Sequence, residues 1–86
     1  MHKIELSRIA EKTYRWLYRR DRKLFDRIDA ALAALAEDPT LGKPLKGTLQ
    51  GDRSHRVGSY RIIYTVAERK LIVYVLDIGH RQDIYK

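Results

Sequence analysis

Cysteine is absent from the 86 residues, so neither a disulfide framework nor a thiolate metal site braces the fold, and the interior must hold by packing alone. Long apolar runs are missing as well. The strand-like run Leu71 to Leu76 has six residues and the alanine-rich run Ala30 to Ala36 seven, where a membrane-spanning helix needs roughly 18 or more. The opening Met1-His2-Lys3-Ile4-Glu5 carries no apolar stretch of a secretory signal, and the expectation is a cytoplasmic protein. Acidic residues are scarce: eleven Asp and Glu face eighteen Lys and Arg, a net charge of +7. On so small a surface that charge attracts phosphates or an acidic protein partner. Only two prolines occur, both between positions 39 and 44. No repeat and no low-complexity tract interrupts the chain.

What remains is a globular composition, 44 % apolar and 34 % charged, with enough hydrophobicity to offset ordering entropy. The length fits one domain, residues 1–86, burying roughly 60 to 65 % of its unfolded surface. The surplus of cations lies mostly in the second half: from Pro39 onward nine cations stand against four anions.

Along the chain, His2 to Leu6 alternates as a short strand. Ser7 is a good N-cap with Glu11 one turn in. Ile9, Thr13, Trp16 and Leu17 then recur at helical spacing, predicting a helix to about Arg20 with those residues, Trp16 included, packed inward. Asp21 caps a second helix whose apolar stripe is Leu24, Phe25, Ile28, Leu32 and Leu35, padded by alanines. It stops at Asp38, because Pro39 disfavours a helical residue before it. A turn this short makes the two helices an antiparallel hairpin with one apolar side to cover.

The segment from Pro39 to Asp52 holds both prolines and three of the five glycines and reads as a long connecting loop. Arg53–Val57, Tyr60–Ala67 and Leu71–Ile78, with turns at Gly58-Ser59 and Glu68-Arg69-Lys70, read as a three-stranded antiparallel meander. Leu71–Ile78, apolar on both faces except for Asp77, is the predicted central strand. The order β-α-α-β-β-β gives an α+β domain: a two-helix hairpin packed on a small, twisted, mostly antiparallel sheet.

Alternation places Tyr60, Ile62, Tyr64 and Val66 on one face of their strand, the tyrosines in the core, and Arg61, Ile63, Thr65 and Ala67 on the other. A guanidinium in such a strand needs an anion or water. Two readings stay open. A three-residue turn sets Arg61 opposite Asp77, forming a structural ion pair. Alternatively Arg56, Arg61 and Arg81 converge on an open sheet face and present planar donors to a phosphate.

Asp38-Pro39, Gly42-Lys43-Pro44-Leu45-Lys46-Gly47, Arg56-Val57-Gly58-Ser59-Tyr60-Arg61-Ile62-Ile63-Tyr64 and Ile78-Gly79-His80-Arg81-Gln82-Asp83-Ile84-Tyr85 together resemble the RelE/ParE superfamily of toxins from type II toxin–antitoxin pairs. The Gly-His-Arg-x-Asp-Ile-Tyr ending resembles the RelE branch more than the gyrase-poisoning ParE branch.

That resemblance implies a RelE-like mRNA interferase, a metal-independent endoribonuclease acting on ribosome-bound mRNA in the A site by attack of the 2′-hydroxyl, with no cofactor. It implies a cognate RelB-like antitoxin as partner and no membrane association. Arg61 and Arg81 match the family's phosphate-stabilising arginines, and Tyr85 its terminal catalytic tyrosine. With an ordinary pKa of about 10, Tyr85 acts as a base only where cations favour its phenolate; otherwise it stacks on a base or orients the hydroxyl. Arg56, Arg53, Lys46, His55 and His80 are further catalytic or RNA-binding candidates, the histidines because they titrate nearest pH 7. The family's potent members carry cations on the strand entering the Val57-Gly58 turn where this chain has Asp52 and Ser54. A ParE-like gyrase inhibitor and a catalytically weak antitoxin-binding module are the alternative expectations.

Overall fold

A computed structural model describes residues 1–45 and 51–80. Its elements are β1 (Lys3–Leu6), α1 (Arg8–Arg20), α2 (Arg22–Glu37), a 3-10 turn (Pro39–Leu41), β2 (Lys43–Pro44), β3 (Arg53–Val57), β4 (Tyr60–Ala67), a second 3-10 turn (Glu68–Lys70) and β5 (Ile72–His80). The five strands form one sheet in the order β1-β5-β4-β3-β2. β1 runs parallel to β5, and every other pairing is antiparallel. The helix boundaries agree with the sequence reading to within a residue. The segment read wholly as loop contains a 3-10 turn and the edge strand β2, a place where proline is tolerated because no donor is needed on its outer side.

Local chemistry explains the joints. Ser7 Oγ accepts from the Ala10 amide at 3.0 Å, capping α1, and donates to Leu76 O at 2.7 Å, tying that cap to β5. Asp21 closes α1 by donating its backbone N–H to Leu17 O and opens α2 by accepting from the Leu24 amide at 3.1 Å. Asp38 ends α2, and its carboxylate accepts from the Thr40 amide at 3.1 Å and hydroxyl at 2.6 Å. Those bonds hold its pKa below the usual carboxylate value. The β3–β4 hairpin turns on two residues, and Gly58 supplies the positive φ of 59° that such a tight loop demands.

The core lies between the helices and one sheet face. Leu17, Ile28, Leu35, Ile62, Tyr64, Val73, Val75 and Ile78 are fully buried there. On α1 the inward residues are Ala10 and Leu17, one helical repeat apart. This corrects the reading of Ile9 and Trp16 as packed residues: they are 64 % and 52 % exposed, because α1 settles on the sheet through its small Ala10 and rotates both outward. A bulge between Ile63 and Tyr64 leaves Leu76 without a register partner on β4 and 37 % exposed. β5 is central, as read, but the helices cover only one of its faces. Among the described residues no helix is long and apolar enough to cross a membrane.

Candidate functional site

Two arginines meet on the sheet face turned away from the helices. Val57 and Ile62 belong to the core, so their neighbours Arg56 and Arg61 point to the opposite side. The β3–β4 register sets these two arginines directly opposite each other. Like charges at such a position repel, and an anion lodged between them removes that cost. Arg61 is half-buried and donates Nη1 to Ser54 Oγ at 3.2 Å. Ser54, only 5 % exposed, thus stands where a cation was missed in the sequence and steers a neighbouring one. Arg56 is exposed and donates Nε to Gly58 O at 3.3 Å.

The Arg61–Asp77 ion pair is corrected by the register. Leu71 lengthens the β4–β5 turn by one residue and the bulge adds a second step of register, which together place Asp77 opposite Ile63 and set Arg61 opposite Gly79, a residue without a side chain. An open cleft of about 280 Å³ forms beside the arginines, lined by Leu41, Lys43, Ser54, His55, Arg56 and Arg61. Lys43 was missed as a site residue because its segment read as loop. β2 pairs it with Ser54, returning a cation to the row of the strand that lacks one at position 54. Its only signal in the sequence was the Lys-Pro pair after Gly42.

A latch sets the lip of this cleft. The buried Tyr64 hydroxyl donates to Pro39 O at 2.7 Å and accepts from the Gly42 amide at 2.9 Å. Burial raises the Tyr64 pKa, keeping the hydroxyl protonated as a donor. A Cβ on Gly42 would come within 2.5 Å of that oxygen, so only glycine fits. Arg53 Nη1 completes the latch by donating to Gly42 O at 2.7 Å.

The remaining candidates are placed apart. Arg53 braces the 3-10 turn. His55 borders the cleft, but strand alternation sends its side chain toward the core face beside Ile62. There burial lowers its pKa by penalising the imidazolium. His80 pairs with Tyr60 on the helix side, their rings meeting edge-on at 5.8 Å, across the sheet from the arginines. Lys46, Arg81 and Tyr85 lie outside the described residues. Among the described residues no cluster of His, Asp and Glu has the geometry to hold a metal ion.

Residues 3–85 match the family model described as ParE toxin of type II toxin-antitoxin system, parDE. The chain belongs to the ParE toxin family. Among curated relatives, the toxin YoeB of Synechocystis sp. is 37 % identical over 76 residues, 83 % of this chain and 88 % of that protein. The toxin RelG of Mycobacterium tuberculosis is 40 % identical over 60 residues, 69 % of this chain and 69 % of that protein. The fold matches a chain of the RelBE2 toxin–antitoxin complex from M. tuberculosis with a TM-score of 0.80 at 23 % identity, over 93 % of this chain and 98 % of that one. It also matches the YoeB/ParE toxin from Agrobacterium tumefaciens with a TM-score of 0.81 at 23 % identity, over 91 % and 96 %. This member of the ParE toxin family is a RelE-like type II toxin, and its two helices on a five-stranded mixed sheet, in the order β-α-α-β-β-β-β, match the fold of its structural neighbours.

Proposed function

We propose that this toxin acts in the cytoplasm as a single-domain endoribonuclease that cuts ribosome-bound mRNA in the A site without metal or cofactor. A cognate RelB-like antitoxin laid over the basic sheet face silences it. The observation that carries this reading is the pair Arg56 and Arg61, opposed across β3 and β4 with Lys43 beside them in one cleft. Curated relatives named as YoeB and RelG toxins support the same branch.

In the reaction the 2′-oxygen of the RNA attacks its adjacent phosphorus as the bond to the 5′-oxygen breaks. The 2′-proton passes to a base, the departing 5′-oxygen gains a proton, and a 2′,3′-cyclic phosphate and a 5′-hydroxyl result. Negative charge grows on the nonbridging oxygens of the five-coordinate phosphorus, where fixed guanidinium donors stabilise it most. Arg61, held by Ser54, is such a donor, and Arg56 faces it. Arginine stays protonated and is no base. The family resemblance, not the geometry, supplies the rest of the proposal: proton transfer by Tyr85 and a further phosphate donor in Arg81.

The test is primer extension on cellular mRNA after induced expression, where cuts within translated codons are expected. Arg61→Ala should reduce cleavage about 10²- to 10³-fold, the effect of deleting one donor to a developing oxyanion, while its thermal unfolding stays near that of the wild type. An equally toxic and equally active Arg61→Ala chain overturns the assignment. The family model's ParE description favours one other reading, inhibition of DNA gyrase; intact mRNA with arrested replication selects it.

A further inference from the structure

The helix side carries a second basic surface that the arginine cleft does not use. At 100° per residue, Arg8, Lys12, Arg15 and Arg19 fall within roughly 60° of one another on α1, in a row about 16 Å long at 1.5 Å per residue. Of the four, only Arg15 meets a carboxylate among the described residues, Glu11 at 2.6 Å. Trp16 flanks the row and is 52 % exposed. A groove of about 270 Å³ separates α1 from the sheet, with Lys12, Thr13 and Trp16 on one wall and Tyr60, Ile78 and His80 on the other. Past the indole it continues into a basin of about 470 Å³ lined by Trp16, Lys12, Arg15, Arg19 and Arg20.

A flat, half-exposed indole set in a row of cations matches a polyanion that carries flat rings. An apolar helix fits poorly, because Lys12 lies beside the exposed apolar line from Ile9 to Trp16 and Arg20 follows it one turn on, and both would be desolvated without partners. We infer that this groove binds single-stranded RNA, one unpaired base stacking on Trp16 while neighbouring phosphates follow the cations of α1. The site lies on the opposite side of the sheet from Arg61 and holds RNA that is not being cut there. It stands whether or not the cleft cleaves.

Trp16 is the single tryptophan of the chain, so its emission reports on the groove alone. The probe is a short 2′-O-methyl oligouridine, whose blocked 2′-oxygen cannot attack phosphorus. Titrated into the full chain, it should quench the emission saturably, with affinity falling by roughly 0.7 log units per neutralised phosphate for each tenfold rise in salt. By fluorescence anisotropy of a labelled oligonucleotide, Trp16→Ala should bind roughly 5- to 150-fold more weakly, the loss of one base stack. Trp16→Phe should recover most of that loss, which separates stacking from a folding defect. Binding that leaves the emission unchanged, equal quenching by inorganic polyphosphate, or undiminished affinity in Trp16→Ala overturns the inference. So does quenching by an acidic amphipathic peptide where the oligonucleotide has no effect.

Discussion

Replacing Tyr64 with phenylalanine removes one oxygen from the middle of the molecule. The ring is fully buried, the largest side chain to be so among the described residues, and phenylalanine preserves its ring and its packing against the core. What disappears are the bonds at 2.7 Å to Pro39 O and at 2.9 Å from the Gly42 amide, both buried. Each orphaned backbone group costs about 1–3 kcal/mol in lost hydration that the protein no longer repays. Partial relaxation and the easier burial of phenylalanine offset some of that, leaving an expected loss of about 2 kcal/mol. In a domain of this size 1 kcal/mol moves the unfolding midpoint by roughly 4–8 °C, so Tm should fall on the order of 10 °C. Thermal unfolding by circular dichroism, paired with urea titration showing an unchanged slope, measures it. A loss below about 0.5 kcal/mol would refute the idea that the hydroxyl pins the Pro39–Lys43 segment.

Ser54→Ala takes away the acceptor that steers Arg61 and should slow mRNA cleavage in a ribosome-programmed assay by about tenfold, the worth of a hydrogen bond to a charged group; Ser54→Thr should restore most of the rate, and an unaltered rate in the alanine variant would show that the serine does not orient the arginine. Tyr14 has its pKa pushed up to about 12 by burial first, then by the hydrogen bond and the charge of Asp29, to which its hydroxyl donates at 2.7 Å. Because the folded value is the raised one, this stabilisation is complete below the unfolded value of about 10 and is lost as the pH climbs toward 12. Unfolding midpoints compared between wild type and Tyr14→Phe should therefore converge across that window, and parallel curves would contradict the linkage.

The helices were legible because their signals are local. Ser7 and Asp21 announce caps, and the stripe from Leu24 to Leu35 repeats at helical spacing over about three turns. The strands of the meander were legible for the same reason: alternation and a glycine turn lie within a few residues of each other. What the chain concealed depends on partners distant in sequence. Lys43 joins the cleft only because β2 finds β3, and a two-residue strand has no periodicity to read. The longer turn through Leu71 and the bulge, which together move Asp77 away from Arg61, are register events, invisible without the neighbouring strand. Trp16 misled because an indole at helical spacing reads as core, whereas the small Ala10 decides which side of α1 approaches the sheet. The convergence of Arg56 with Arg61 was legible, since it follows from alternation across one tight hairpin. Its continuation through Arg81 and Tyr85 rests on the family resemblance.

The parallel seam between β1 and β5 has a bearing on when the molecule matures. Every other strand pairs with one that precedes or follows it directly along the backbone, but Lys3 must wait for Ile72. During translation the first strand emerges long before its neighbour exists, and joining them closes a loop spanning most of the polypeptide, a slow and entropically expensive step. β4, which bears Arg61, likewise lacks its inner neighbour until β5 is made. A nascent chain therefore holds Arg61 in its final place in the sheet only late in synthesis, once its last described strand has been made.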